Sequence, residues 1–67
     1  MQAMDEDKRR WIGLRVWIID AGGNTRYGVV RSVLHGRVVV ELDLGVHSVF
    51  PLAKRGVTWG FADSLEG

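Results

Sequence analysis

Sixty-seven residues, 46% of them hydrophobic, with no cysteine and a formal net charge of +1, describe one small folded domain. They exclude a disulfide scaffold, thiol catalysis and thiolate metal sites, and two histidines are too few for an ordinary zinc site. A domain of this size buries only about 60% of the surface its unfolded chain exposes, so oligomerisation or a permanent partner is the expected source of extra stability.

The N-terminus, residues 1–12, reads as a loose leader followed by a short helical turn. Asp5-Glu6-Asp7 precedes Lys8-Arg9-Arg10, the order that suits a helix dipole, with i,i+4 pairs Asp5/Arg9 and Glu6/Arg10. So short a turn needs Trp11 and Ile12 docked on the rest of the fold. Lys8-Arg9-Arg10-Trp11 also has the composition of a phosphate-and-stacking arm, against the plainer reading of a solvated charge run. The acids come first and no long apolar segment follows, so no signal peptide is expected, and no apolar run reaches the length of a membrane span. The expectation is a cytoplasmic protein that does not enter a membrane.

The first strand is expected over Leu14–Asp20, with Leu14, Val16 and Ile18 on one face and Arg15, Trp17 and Ile19 on the other. Ala21–Arg26 is a polar, glycine-rich loop; its Gly22-Gly23 lacks a nucleotide-binding pattern and no helix follows it. The second strand, Tyr27–Leu34, points Val30 and Val33 inward, and that spacing of three requires a bulge between them. A turn at His35-Gly36 leads to the third strand, Arg37–Leu42, with Val38, Val40 and Leu42 inward and Val39, Glu41 and Asp43 outward. Asp43-Leu44-Gly45 turns into the fourth strand, Val46–Phe50, which Pro51 is expected to stop. A helical turn after Pro51 precedes the last strand, Val57–Phe61, with Val57, Trp59 and Phe61 on one face. Residues 62–67 form a polar tail.

Charge is unevenly distributed. Residues 1–7 and 56–67 hold five acids and no base, whereas residues 8–55 carry all nine Lys and Arg against Asp20, Glu41 and Asp43, a surplus of six. A basic centre attracts phosphate backbones. The candidate nucleic-acid-binding residues are Arg15, Arg26, Arg31, Arg37, Lys54 and Arg55, with Trp17 and Tyr27 as stacking surfaces. The competing reading is a mixed-charge surface neutralised by the acidic ends. A second candidate surface is apolar: Trp17, Ile19, Val29, Val39 and Val49 fall on the face not assigned to the core, which marks either an interface with a larger protein or another copy of the chain, or a small curved barrel that buries parts of both faces with Trp11 and the N-terminal turn over one edge. No catalytic constellation emerges. His47 and Ser48 are neighbours on a strand and face opposite ways, His35 sits at a turn, and Glu41 with Asp43 marks a solvent side. No enzyme activity, cofactor or metal is expected.

Five short strands, a long loop after the first and tight hairpins between the second, third and fourth resemble the SH3-like small β-barrels of the KOW and Tudor type. The residues that carry the likeness are Gly13-Leu14-Arg15-Val16, Tyr27-Gly28-Val29-Val30-Arg31-Ser32-Val33, Val40-Glu41-Leu42-Asp43-Leu44-Gly45 and Phe50-Pro51-Leu52, within residues 13–61. The resemblance implies an all-β, five-stranded barrel that acts by binding nucleic acid, peptides or other subunits. Tudor-like recognition would gather Trp17, Tyr27 and Phe50 into an aromatic cage beside Asp43; the favoured reading of Trp17 and Phe50 is core or interface. The chain is also similar in length to the plasmid-borne type of dihydrofolate reductase, a tetrameric barrel that needs a Val-Gln-Ile-Tyr run. His47-Ser48-Val49-Phe50 stands there instead, so only the oligomerising habit carries over. The expected function is a nucleic-acid-associated accessory or regulatory factor using a basic barrel face. The alternative is a protein-interaction or homo-oligomerising module.

Overall fold

The computed structural model describes residues 6–62. The leader, the pairings expected of Asp5 and Glu6, and the tail beyond Ala62 lie outside the described residues. Within them the fold is mostly β: strands β1 (Arg15–Ile19), β2 (Thr25–Leu34), β3 (Arg37–Glu41), β4 (His47–Pro51) and β5 (Trp59–Phe61). All pair antiparallel in one sheet of order β4-β3-β2-β1-β5. The helical pieces are 3-10 turns at Glu6–Trp11, Asp43–Gly45 and Leu52–Lys54.

β2 organises the sheet. Its first half pairs with β1 and its second half with β3, with Val29 facing both Arg15 and Glu41. The register shifts between Val30 and Ser32, the bulge that the spacing of Val30 and Val33 requires. Such a bulge bends the strand, so both halves present valines to the same interior. His35 and Gly36 both take positive φ, 50° and 75°, and make the two-residue turn whose twist matches the flanking strands.

The interior is built mainly of β-branched side chains. Val16, Ile18, Val30, Val33, Val38, Val40 and Leu42 are buried with Trp59, and Trp11, Phe50, Leu52 and Phe61 pack against them. Full burial of each such side chain stabilises the fold by about 1.5–3 kcal/mol. Trp59 fastens the two edges of the sheet: it lies on β5, and its Nε1 donates to the Pro51 carbonyl of β4 at 2.9 Å. No ladder joins β4 to β5 among the described residues, so the sheet is open and a closed barrel is not shown.

Several strand boundaries differ from expectation by one or two residues: β1 lacks Leu14 and Asp20, β3 stops at Glu41 and β4 starts at His47. Thr25 and Arg26 belong to β2 because they pair with Ile19 and Ile18. Pro51 continues β4, opposite Arg37, because an edge strand tolerates a missing N–H. Val57 is outside β5 and 63% exposed: the ladder to β1 begins only at Trp59, opposite Ile18, and Val57 N is taken by the Lys54 carbonyl. Leu14 is half-buried rather than a core residue, although its carbonyl accepts from Val30 N at 3.0 Å. Trp11 docks as expected, but Ile12 is 40% exposed.

Candidate nucleic-acid interface

Gly28 is where the interior shapes the surface. A Cβ there would lie 2.6 Å from the Glu41 carbonyl oxygen, 2.7 Å from Val40 Cγ1 and 2.9 Å from Leu42 Cδ2. Only glycine lets β2 settle this closely against the end of β3. The chain leaving β3 is therefore held beside Tyr27, and Asp43 lines the same cleft. That cleft has a volume of about 420 Å³ and is lined by Arg15, Arg26, Tyr27, Gly28, Val29 and Asp43.

Its centre is an exposed aromatic flanked by cations. Tyr27 on β2 is 51% exposed, and the Arg15 guanidinium of β1 lies 5.2 Å from its ring centroid. Stacking on a ring leaves the edge N–H groups of a guanidinium free for an anion. Arg26, next to Tyr27, is exposed. Among the described residues neither Arg26 nor Asp43 has a side-chain hydrogen bond or ion pair. Two cations and a carboxylate thus share one cleft without neutralising one another by contact.

The other candidate residues are dispersed. Arg31 is exposed, but its Nε donates to Glu41 Oε1 at 2.7 Å, so its charge is matched within the chain. Arg37 is exposed at the hairpin end of the sheet, opposite Pro51. Lys54 is exposed on the last 3-10 turn. Arg55 lies over Phe61 at 5.0 Å and Trp11 at 5.7 Å. Trp17 is half-buried with its indole against Gly60, where a Cβ would fall 2.6 Å from the ring.

The expected apolar face is mostly covered by the chain itself. Ile19, Val29 and Val39 are half-buried, and only Val49, at 55%, is exposed. The Trp17, Tyr27 and Phe50 cage does not form: Phe50 packs against the core, opposite Val38. The rings that meet are Trp11, Trp59 and Phe61, with centroids 5.0–6.1 Å apart. Trp11 is half-buried in that cluster with Lys8 5.6 Å away, which removes it as a free stacking arm. Trp59 and Phe61 share a face as their alternation predicts, and Trp11 docks; that the three rings meet was not legible, because Trp11 lies at the other end of the chain.

Among the described residues no group of three His, Asp or Glu side chains could hold a metal ion, and no helix is long and apolar enough to cross a membrane. Comparison with known proteins finds no family model, no curated protein and no solved structure that matches the chain.

Proposed function

We propose that this chain is a non-enzymatic accessory factor that binds nucleic acid, with phosphates held by Arg15 and Arg26 and a base stacked at Tyr27. The observation that carries the reading is the exposed Tyr27 ring with Arg15 5.2 Å from its centroid, in an open cleft that also holds Arg26, exposed and unpaired among the described residues. Base stacking on an aromatic is worth about 1–3 kcal/mol per base and needs an unstacked base, so a single strand is the fitting partner. The curled sheet is read as an SH3-like barrel of the KOW or Tudor type; its strand order, the loop after β1 and the two tight hairpins support that assignment.

The test is binding of a labelled single-stranded oligonucleotide, followed by fluorescence anisotropy across a salt series. Arg26→Ala is expected to flatten the slope of log K against log salt by about 0.7, the contribution of one phosphate contact on a single strand. Arg31→Ala is expected to leave the slope unchanged, because Glu41 already holds that guanidinium. No binding at low salt overturns the reading.

A second reading rests on β4. It is a sheet edge with no Lys, Arg, Asp or Glu; Val49 on it is 55% exposed, and Val46 just before it 49%. Edge strands without charge are templates for pairing with another chain. Homo-oligomerisation through β4 would appear as a concentration-dependent mass in sedimentation, abolished by Val49→Lys.

A further inference from the structure

The Asp43 carboxylate is out of place in a cleft that only grips phosphate. It would repel a backbone, yet it lines the same space as Arg15, Arg26 and Tyr27 and has no side-chain partner among the described residues. Its place follows from the fold: Gly28 draws the end of β3 against β2, and the 3-10 turn Asp43–Gly45 starts there. Nothing in the interior calls for an acid at this exposed position. What an open carboxylate beside a stacking ring can do is accept hydrogen bonds from the edge of a stacked base.

The four bases differ in what they offer such a group. A carboxylate is acceptor-only and carries two oxygens side by side. The Watson–Crick edge of guanine presents two adjacent donors, N1–H and the N2 amino group, which match that pair of oxygens. Adenine and cytosine set one amino donor next to a ring-nitrogen acceptor, which the carboxylate repels. Uracil and thymine place one imino donor between two carbonyl oxygens. Single-stranded bases are read on this edge because it is free of a pairing partner.

We propose that the Tyr27 cleft selects guanine within single-stranded nucleic acid, with the base stacked at Tyr27, its N1–H and N2–H donating to Asp43, and Arg15 and Arg26 on the flanking phosphates. The cleft volume of about 420 Å³ is in the range of sites for small ligands, so one nucleotide has room. The inference rests on the nucleic-acid reading above and adds a base preference to it.

The test uses the full chain and four labelled hexanucleotides, uridine throughout except for guanine, inosine, adenine or uracil at the third position. The guanine oligomer is expected to bind about tenfold more tightly than the adenine or all-uracil oligomer, the size of one good bidentate base contact. Inosine, which keeps N1–H and lacks the amino group, falls between. Asp43→Ala is expected to abolish the difference while all-uracil binding is retained or strengthened, since an acid leaves the cleft. Equal binding of all four oligomers, or a guanine preference that survives Asp43→Ala, overturns the guanine inference and leaves the backbone reading standing. No binding of any oligomer at low salt overturns both.

Discussion

Replacing Gly28 with alanine probes the contact that joins the core to the cleft. The new Cβ would meet the Glu41 carbonyl oxygen at 2.6 Å, Val40 Cγ1 at 2.7 Å and Leu42 Cδ2 at 2.9 Å. Carbon atoms rest at about 3.5–4.0 Å, so two of these contacts are too short by more than half an ångström. Val40 and Leu42 are themselves buried, and the Glu41 carbonyl belongs to backbone, so none of the three yields as a flexible side-chain end would. Crowding of this kind costs about 1–3 kcal/mol, against a gain of about 0.4–1 kcal/mol from stiffening the unfolded chain. The net expectation is a loss of about 1–2 kcal/mol, or roughly 5–15 °C in Tm for a domain of this size. Urea unfolding followed by tryptophan fluorescence measures it, because Trp59 is fully buried. Gly22→Ala is the comparator: its nearest neighbours would be Asn24 Nδ2 at 3.2 Å and Asp20 Oδ1 at 3.6 Å, and it should stay within about 0.5 kcal/mol of the parent. A Gly28→Ala protein as stable as the parent would refute the close approach of β2 to β3.

Further outcomes follow from single contacts. Thr58 Oγ1 is buried without a hydrogen-bond partner among the described residues, so Thr58→Val should raise stability by about 1 kcal/mol, read as a higher urea midpoint with unchanged slope. Trp59→Ala removes the largest core side chain and the bond to Pro51 O; a loss of about 3–5 kcal/mol approaches the whole stability of so small a domain, and circular dichroism should show broad or absent cooperative melting. Arg55→Ala takes away only a cation over Phe61 and Trp11, and should cost about 0.5–1 kcal/mol in the same melting experiment.

The parts of the fold legible in the sequence are those set by neighbours along the chain. Alternation along Arg37–Glu41 and on to Leu42 identified Val38, Val40 and Leu42 as inward, and all three are buried. The spacing of Val30 and Val33 located the bulge, and the His35-Gly36 turn fixed the hairpin. The parts that escaped depend on distant partners. Alternation continues through Val57, but a strand exists only where β1 offers a ladder, and that starts at Trp59. Arg31 looked like any outward base until the bulge and pairing brought Glu41 to its Nε. Phe50 was open to two readings, a rim aromatic near Tyr27 or the favoured core residue, and only the pairing of β4 with β3, which sets it opposite Val38, decides for the core. Of the basic residues marked in the sequence, Arg15 and Arg26 line one cleft with Tyr27, whereas Arg31 is matched by Glu41 and Arg37 and Lys54 lie elsewhere on the sheet and its last turn.

The most direct test of the account is an NMR titration of the isotopically labelled chain with a short single-stranded oligonucleotide, at low and at high salt. Amide shifts are expected at Arg15, Arg26, Tyr27 and Asp43 that shrink as salt rises, with Arg37, Lys54 and the β4 residues unmoved. Absence of shifts, or shifts confined to β4, would contradict it.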